Sequence, residues 1–251
     1  MTDHTTYGLV CSELSEDLSK TNLGELKLDS FQDNSVKIKI KAASLNFPDL
    51  LMTQGKYQNR PNLPFALGME GAGIVEKVGS GVSSLKEGDE VMFGGWGHGA
   101  IAESIILPEG LVSLKPKSLN FSEAASFKTA YLTAYVGLIR RGELKQGETL
   151  LVHGASGGVG MAAVQMGKLY GARVIASGTS DEKLKIVKTW GADEIINTGL
   201  EGSVSFREEV KNLTNGKGAD VIYDPVGGDV FDESIRCINW GGRLLIIGFT
   251  S

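Results

Sequence analysis

Hydrophobic positions follow two different periods in the two halves of the chain. From about Tyr7 to Leu119 they come in short alternating runs such as Val36–Ala42, in which every second residue is apolar. Such alternation is typical of a half-buried β-strand. Similar runs occupy 71–78, 90–93 and 102–107, separated by glycine, proline and polar turns. The first half is therefore predicted to be mostly β and barrel-like, with a short helix near 49–54.

Beyond Ser122 the pattern alternates between helix and strand. Helices are predicted at 122–141, 158–170, 180–189, 205–213 and 230–238, and strands at 149–153, 173–177, 194–196, 220–223 and 243–248. Ser180 is a suitable N-cap, and Gly191 follows the end of the same helix. Alternation of this kind builds a doubly wound parallel sheet. The expected fold is α/β, with domains at 1–121 and 122–251.

The composition fits a globular protein of a reducing compartment. Apolar residues make up 41% of the 251 positions, and the net charge of -5 is spread without a basic tract. The absence of a basic tract argues against a nucleic-acid partner, and the absence of a run of about 18 apolar residues argues against a membrane span. The N-terminus lacks a signal-peptide pattern, which predicts a cytoplasmic location. Cys11 and Cys237 cannot form a disulfide framework or a metal knuckle, and each is expected to be a small buried or semi-exposed hydrophobic residue.

The stretch HGASGGVG at 153–160 is the strongest chemical signal, because it lies between a predicted strand and a predicted helix. Gly157 is expected to adopt backbone angles closed to other residues and to let phosphates approach the main chain, and Gly160 to let the helix pack on the sheet. The helix N-terminus offers N–H groups to an anion. The residues predicted to bind a dinucleotide pyrophosphate are Ala155, Ser156, Gly157, Gly158, Val159 and Gly160.

The end of the next strand bears on the choice of cofactor. NAD-binding proteins normally carry an acidic residue there for the ribose hydroxyls, whereas this chain has Ala176-Ser177-Gly178-Thr179. Small neutral residues leave room for a 2′-phosphate, and hydroxyls and a cation can bind it. NADPH is therefore predicted in preference to NADH, although Asp181 and Glu182 act against this choice. The predicted contacts here are Ser177, Gly178, Ser180 and Lys183.

Several separated motifs occur in one order: ASLNFPD at 43–49, PFALGMEGAG at 64–73, GDEV at 88–91 and the glycine-rich loop. Together they resemble the zinc-independent branch of the medium-chain dehydrogenases/reductases, in particular the NADPH:quinone oxidoreductases related to zeta-crystallin. The resemblance covers nearly the whole chain. It implies a GroES-like catalytic domain, a Rossmann domain, and hydride transfer from NADPH to a quinone. It also implies a C-terminally shortened member, with five of six Rossmann strands, whose full-length form is a homodimer.

The resemblance also implies the residues at the reacting end of the cofactor. Asn46, Tyr57 and Thr133 would line the nicotinamide site in a cleft between the domains. If no zinc takes the charge that builds on the acceptor oxygen, the candidate hydrogen-bond donors to it are Asn46, Tyr57 and the ribose hydroxyls. Thr198 stands where many relatives carry a phosphate-contacting tyrosine. Further contacts are expected after the fourth and fifth strands, where open α/β sheets bind ligands, from Val226, Gly227 and Phe249.

Zinc is not expected. In the alcohol-dehydrogenase branch the resemblance places zinc ligands near Asn46, at Met69 and near Phe127, and none of these is a cysteine or histidine. Of the three histidines, His153 is interpreted as a packed residue at a strand end. His98, in a glycine-rich loop, is interpreted as a surface residue, with an approach to the cleft as the alternative.

Two other functions stay open. One is NADPH-dependent reduction of activated C=C bonds in enones or acyl thioesters. The other is a non-enzymatic, crystallin-like role in binding NADPH or single-stranded RNA, although RNA binding calls for a basic groove with aromatic residues. The apolar run 244–247 at an uncovered sheet edge also predicts a tendency to associate.

Overall fold

The computed structural model describes residues 5–95, 97–199 and 206–248. The chain divides into two compact units, Met1–Thr129 and Ala130–Ser251. This division follows packing, and the functional boundary after residue 121 stays a prediction.

The first unit is built from antiparallel strands. They are β1 (Thr5–Cys11), β2 (Thr21–Lys27), β3 (Ser35–Ser44), β4 (Phe65–Ala66), β5 (Glu70–Val78), β6 (Glu90–Gly94), β7 (Ser104–Pro108) and β8 (Val112–Leu114). One sheet has the order β2-β1-β4 and the other β7-β3-β5-β6-β8. Helix α1 (Phe47–Thr53) follows β3, a 3-10 turn (Glu109–Leu111) precedes β8, and α2 (Phe121–Ala125) follows it.

The alternation of apolar and polar residues in β3 arises, as predicted, because one face of the strand is buried and the other is not. Val36 and Ile38 are buried in a core with Phe93 and Leu107 of the same sheet, while Lys39 on the other face is exposed. The strands predicted at 36–42, 71–78, 90–93 and 102–107 are confirmed with shifts of one or two residues at most of their ends.

The second unit is a doubly wound parallel sheet, as predicted. Its strands are β9 (Thr149–Val152), β10 (Arg173–Gly178), β11 (Glu194–Asn197), β12 (Ala219–Asp224) and β13 (Ile238–Ile246). Helix α3 (Lys128–Tyr135) begins in the last two residues of the first unit, and α4 (Gly158–Leu169), α5 (Asp181–Thr189), α6 (Phe206–Leu213) and α7 (Asp229–Ile235) lie in the second. The described strands have the order β11-β10-β9-β12-β13 and pair in parallel. β9 is central, with Leu150, Leu151 and Val152 at 0% exposure, as expected for a strand covered on both faces.

Two helix predictions are wrong in their extent. The segment 122–141 is not one helix: α2 ends at Ala125, where the Ser126 hydroxyl donates back to the Ser122 carbonyl, and a π-helical turn (Val136–Arg141) follows α3. The helix predicted to reach Ile238 ends at Ile235. Ile238 instead opens β13, because it pairs with Ala219 of β12 and the sheet overrides helical periodicity.

Both cysteines are fully buried and form no disulfide, so the buried one of the two expected environments is the one observed. Burial raises the pKa of the Cys237 thiol to about 11. In the described ranges, no helix combines the length and apolarity needed to cross a membrane. The start of the predicted helix 205–213 at Ser205, and Phe249, lie outside the described residues.

Candidate functional site

The glycine-rich loop joins the end of β9 to the start of α4. Its left-handed residue is Gly154, with φ +54°. Gly157 has φ -79° and ψ 167°, an extended conformation that any residue adopts. The prediction that Gly157 needs special backbone angles is therefore wrong, and the turn places that requirement three residues earlier.

Gly160 is a close-packing position, as predicted, but the backbone it meets belongs to the preceding loop. It is buried, and a Cβ atom there would collide with the Gly154 carbonyl oxygen and the Ala155 Cα atom. Ala155 is itself buried, and its N–H donates to the Ser177 carbonyl at 3.0 Å. Glycine at 160 thus lets α4 begin directly against the loop, which is itself tied to β10 through Ala155.

The outer side of the loop is open. Ser156, Gly157 and Gly158 are exposed, and a Cβ atom at Gly158 would have no described neighbour within 4 Å. No side chain of the described chain caps α4, because its N-cap residue is glycine. The first N–H groups of a helix have no acceptor within it. This cradle of exposed glycines at an uncapped helix start fits an anionic pyrophosphate, and Val159 lies half-buried beside it.

A second loop meets the first at the carboxyl edge of the sheet. Asp224 Oδ1 accepts hydrogen bonds from Val226 N at 2.8 Å and Gly227 N at 3.1 Å, and Gly227 is left-handed with φ +81°. A Cβ atom on Gly154 would lie 3.4 Å from Val226 Cγ2. The two loops follow β9 and β12, between which the strand order reverses, and open α/β sheets bind ligands at this point.

His153 is a packed strand-end residue, as interpreted from the sequence. It is 2% exposed and contacts the hydroxyls of Ser177 and Ser234. Burial lowers the pKa of His153 to about 4, against the opposing influence of the Asp224 carboxylate. The imidazole is therefore neutral at physiological pH.

The residues predicted to bind a 2′-phosphate, at the end of β10 and the start of α5, differ in their exposure. Ser177 is buried, whereas Lys183 in α5 is exposed. Ser180 caps α5 as predicted, its Oγ accepting from Lys183 N at 3.4 Å. The Thr198 hydroxyl donates to the carbonyl of the half-buried Gly178 at 3.2 Å, so the loops after β10 and β11 touch. The Asp181 carboxylate accepts from Asn197 Nδ2 at 2.7 Å.

Asn46 is surrounded by polar groups of the first unit. Its Nδ2 atom lies 3.0 Å from Ser44 Oγ and 3.1 Å from Glu70 Oε1. The Asp49 carboxylate accepts from Asn46 N at 2.8 Å and from Gly68 N at 3.0 Å, which ties the start of α1 to the loop before β5. Burial raises the pKa of Asp49, and the Glu70 carboxylate adds to this effect.

Tyr57 and Thr133 are placed in different units. The Tyr57 ring packs on a core cluster of Cys11, Met52, Phe65 and Leu67 and stays half-buried. Thr133 is half-exposed in α3. The cleft between the domains stays a prediction, and so does the joint role of these residues.

His98 lies in the first unit beside Phe65, with ring centroids 5.9 Å apart. It lines a cavity of about 490 Å³ together with Asp29 and Lys27. Burial lowers the pKa of His98, with Asp29 opposing the change. Over the ranges that the structure describes, no three histidine, cysteine or acidic side chains come together to hold a metal.

Sequence reasoning missed Glu70, Ser44 and Asp224. Glu70 stands inside the motif GMEGAG, and Asp224 at the end of an apolar strand, so each is a charged residue in an apolar setting. That setting was the available signal, because buried carboxylates need hydrogen-bond donors around them.

Comparison with known proteins agrees with this architecture. Residues 32–117 match the family model of the alcohol dehydrogenase GroES-like domain, and residues 158–251 that of the zinc-binding dehydrogenases. A quinone oxidoreductase-like protein 2 homolog of Nematostella vectensis is 38% identical over 97% of this chain and 65% of its own length. The chain spans about two thirds of the length of the curated relatives it matches.

Solved structures are similar throughout the chain. Escherichia coli quinone oxidoreductase, solved in complex with NADPH, has a TM-score of 0.88 and 31% identity, covering 98% of this chain and 74% of that one. CurK enoyl reductase has a TM-score of 0.86 and 30% identity, covering 96% and 73%. A GroES-like unit followed by a parallel Rossmann sheet defines a medium-chain dehydrogenase/reductase. Within that class, the chain belongs to the quinone oxidoreductase family.

Proposed function

We propose that the chain is an oxidoreductase that transfers hydride from NADPH to a quinone. The observation that carries the proposal is the open glycine cradle at the start of α4, where Gly157 and Gly158 are exposed and no described side chain caps the helix. The cradle lies where the strand order reverses, the place at which this fold class binds a dinucleotide. The similarity to quinone oxidoreductases supports a quinone as the acceptor.

The end of β10 supports NADPH over NADH. Gly178 and Thr179 follow the buried Ser177, so an acidic side chain is absent where NAD enzymes hold the ribose. Lys183 is an exposed cation one turn into α5, suited to a phosphate. Asp181, the nearest carboxylate in sequence, is held by Asn197 Nδ2. The NADPH in the similar Escherichia coli structure agrees with this choice.

The reaction as proposed uses no zinc. Asn46, Met69 and Phe127 stand where the alcohol-dehydrogenase branch places its ligands, and none of them has the thiolate or imidazole that zinc favours. Charge on the acceptor oxygen must then be stabilised by hydrogen-bond donors.

When bound, the nicotinamide supplies the hydride, and the protein binds and orients the reactants. We assign the hydrogen bond to the acceptor oxygen to the Tyr57 phenol rather than to Asn46, because both protons of Asn46 Nδ2 face acceptors in the protein. Tyr57 or water delivers the proton that the reduced oxygen takes up.

Reduction of an activated C=C bond is the second candidate. The likeness to CurK enoyl reductase favours it. Enones and quinones are both polarised by conjugation, so one site can serve either acceptor. A cytoplasmic location and a homodimer stay predictions.

The test follows NADPH and NADH consumption with a 1,2-quinone, a 1,4-quinone and an enone, using Gly157→Val as the cofactor-binding control. Oxidation of NADPH by quinones, with little of NADH, is the expected result. Turnover with the enone alone would move the function to alkene reduction. Absence of turnover with all three acceptors, while NADPH still binds, would overturn the proposed reaction.

A further inference from the structure

Glu70 is a buried carboxylate next to Asn46. It is 1% exposed, at the first position of β5. Its Oε1 atom lies 2.7 Å from Ser44 Oγ and 3.1 Å from Asn46 Nδ2, and its Oε2 atom lies 2.7 Å from Thr129 N. A carboxylate buried away from water requires hydrogen-bond donors around it. These three donors are therefore a specific structural feature of the fold, and we call the group the Glu70 cluster.

The carboxylate fixes the direction of every hydrogen bond around it, because an ionised carboxylate can only accept. The Ser44 hydroxyl therefore donates its single proton to Glu70. With that proton used, Ser44 Oγ accepts from Asn46 Nδ2 at 3.0 Å. The second proton of Asn46 Nδ2 goes to Glu70.

The other carboxylate oxygen keeps Glu70 from rotating. Thr129 N, in the first turn of α3, donates to Oε2. Burial lowers the pKa of Lys128, and the nearby Glu70 carboxylate opposes this change because it stabilises the charged ammonium group. Both oxygens of Glu70 are thus held, one by a helix start and the other by Ser44 and Asn46.

Asn46 can then contact a ligand only through its carboxamide oxygen, which is an acceptor. We propose that Glu70, with Ser44, is a positioning residue that orients the Asn46 carboxamide to accept a hydrogen bond from the nicotinamide half of the cofactor. This inference rests on the proposed function. The nicotinamide amide and its ribose hydroxyls are donors of the required kind. The reduced acceptor oxygen is an acceptor and does not suit Asn46.

The test compares a whole cofactor with its adenosine half. Dissociation constants of NADPH and of adenosine 2′,5′-bisphosphate are measured calorimetrically for the wild type, Glu70→Gln and Ser44→Ala. We expect both variants to weaken NADPH binding by about tenfold, the loss of one or two hydrogen bonds, and to leave the bisphosphate unchanged. Ser44→Thr keeps the hydroxyl and should restore the wild-type affinity.

Glu109→Gln is the matched control. Glu109 also accepts three hydrogen bonds in the first unit, from Ser83 N, Ser84 N and Ser84 Oγ, but is not part of the Glu70 cluster. It should leave both dissociation constants unchanged. In an Asn46→Ala background, Glu70→Gln should add no further loss if the two residues act as a unit.

The outcomes separate the two proposals. A wild type that binds neither ligand contradicts the proposed function itself. A wild type that binds both, with NADPH affinity retained in Glu70→Gln and Ser44→Ala, overturns the role of Glu70. Equal losses of both ligands would show a structural defect and also overturn it. If Glu70→Gln does not fold, the Ser44→Ala and Ser44→Thr pair decides.

Discussion

The Nδ1 atom of His153 lies 2.7 Å from Ser177 Oγ, and Nε2 lies 2.8 Å from Ser234 Oγ. The Ser234 hydroxyl donates to the Val230 carbonyl at 2.7 Å, so it accepts from His153 and the proton sits on Nε2. Nδ1 must then accept from Ser177. The Ser177 hydroxyl is therefore directed to the core and cannot donate to a ligand, which leaves Ser180 and Lys183 for a 2′-phosphate.

Protonation of His153 should destabilise the second unit. It would place a second proton on Nδ1, facing the Ser177 hydroxyl. Because burial lowers the native pKa to about 4 while the unfolded value is near 6.5, the unfolded chain binds the proton first as pH falls. The contribution of neutral His153 to the free energy of unfolding is therefore fully present well above pH 6.5 and is lost as the pH falls from 6.5 to 4. Urea denaturation should show this group removing about 2 kcal/mol between pH 7.5 and pH 5.

His153→Gln should remove that part of the pH dependence, since glutamine keeps a donor and an acceptor without titrating. His98→Gln is the comparison, because His98 is only half-buried and its pKa is lowered less strongly. An unchanged difference between pH 5 and 7.5 in His153→Gln would contradict the assignment.

Substitutions of two glycines in the same loop should have different effects, one on cofactor binding and the other on folding. Gly157→Val should fold with a similar Tm, because a Cβ atom at this exposed position would meet only the Gly154 carbonyl oxygen, at an ordinary contact distance of 3.4 Å. It should lose NADPH binding, because the added side chain keeps the phosphates away from the main chain. Gly160→Ala should instead destabilise folding by about 1–3 kcal/mol, since its Cβ meets the Gly154 carbonyl. Thermal unfolding and NADPH titration of both variants check this. Retained affinity in Gly157→Val would show that the loop does not hold the phosphates.

Lys183 should set the preference between the two nicotinamide cofactors. Lys183→Met should raise the NADPH dissociation constant about tenfold, the loss of one charge-assisted contact, and leave that of NADH unchanged. Lys185→Met serves as the control, because Lys185 is exposed in the same helix. Equal effects of the two substitutions would assign the change to general surface charge.

Tyr57 should affect turnover rather than folding. Tyr57→Phe keeps the ring packed on Cys11 and Phe65 while removing the hydroxyl. We expect kcat to fall modestly, by about tenfold, with little change in KM. Steady-state kinetics with a quinone measure this, and Tyr170→Phe, at an exposed tyrosine, is the control. An unchanged kcat would remove Tyr57 from the mechanism.

The sequence was informative where local pattern and local structure agree. The alternation from Val36 to Ala42 predicted β3, and a strand, a glycine-rich turn and a helix predicted the region of β9 and α4. Ser180 was recognised as an N-cap because its oxygen bonds a backbone amide only three residues away. Each of these features is decided by neighbours within a few positions.

The remaining features depend on residues far apart in the chain. Ile238 continues a helical pattern, yet pairing with Ala219 makes it part of a strand. Glu70 gains its significance from Ser44, 26 positions earlier, and from Thr129, 59 positions later. The glycine pattern does not say which glycine of the loop adopts the left-handed backbone conformation. That residue is Gly154 and not the predicted Gly157.

The strand order also determines when the proposed cofactor site is completed during folding. His153 and Ser177, which join β9 to β10, are 24 positions apart. Thr149 N donates to Asp220 Oδ2 across 71 positions, in the region where β12 pairs with β9. Contacts between residues that are farther apart in the sequence have a larger entropic cost of loop closure. They are therefore expected to form later during folding. We therefore expect a growing chain to acquire affinity for the nucleotide only after Val226 has been synthesised and β12 has joined the sheet.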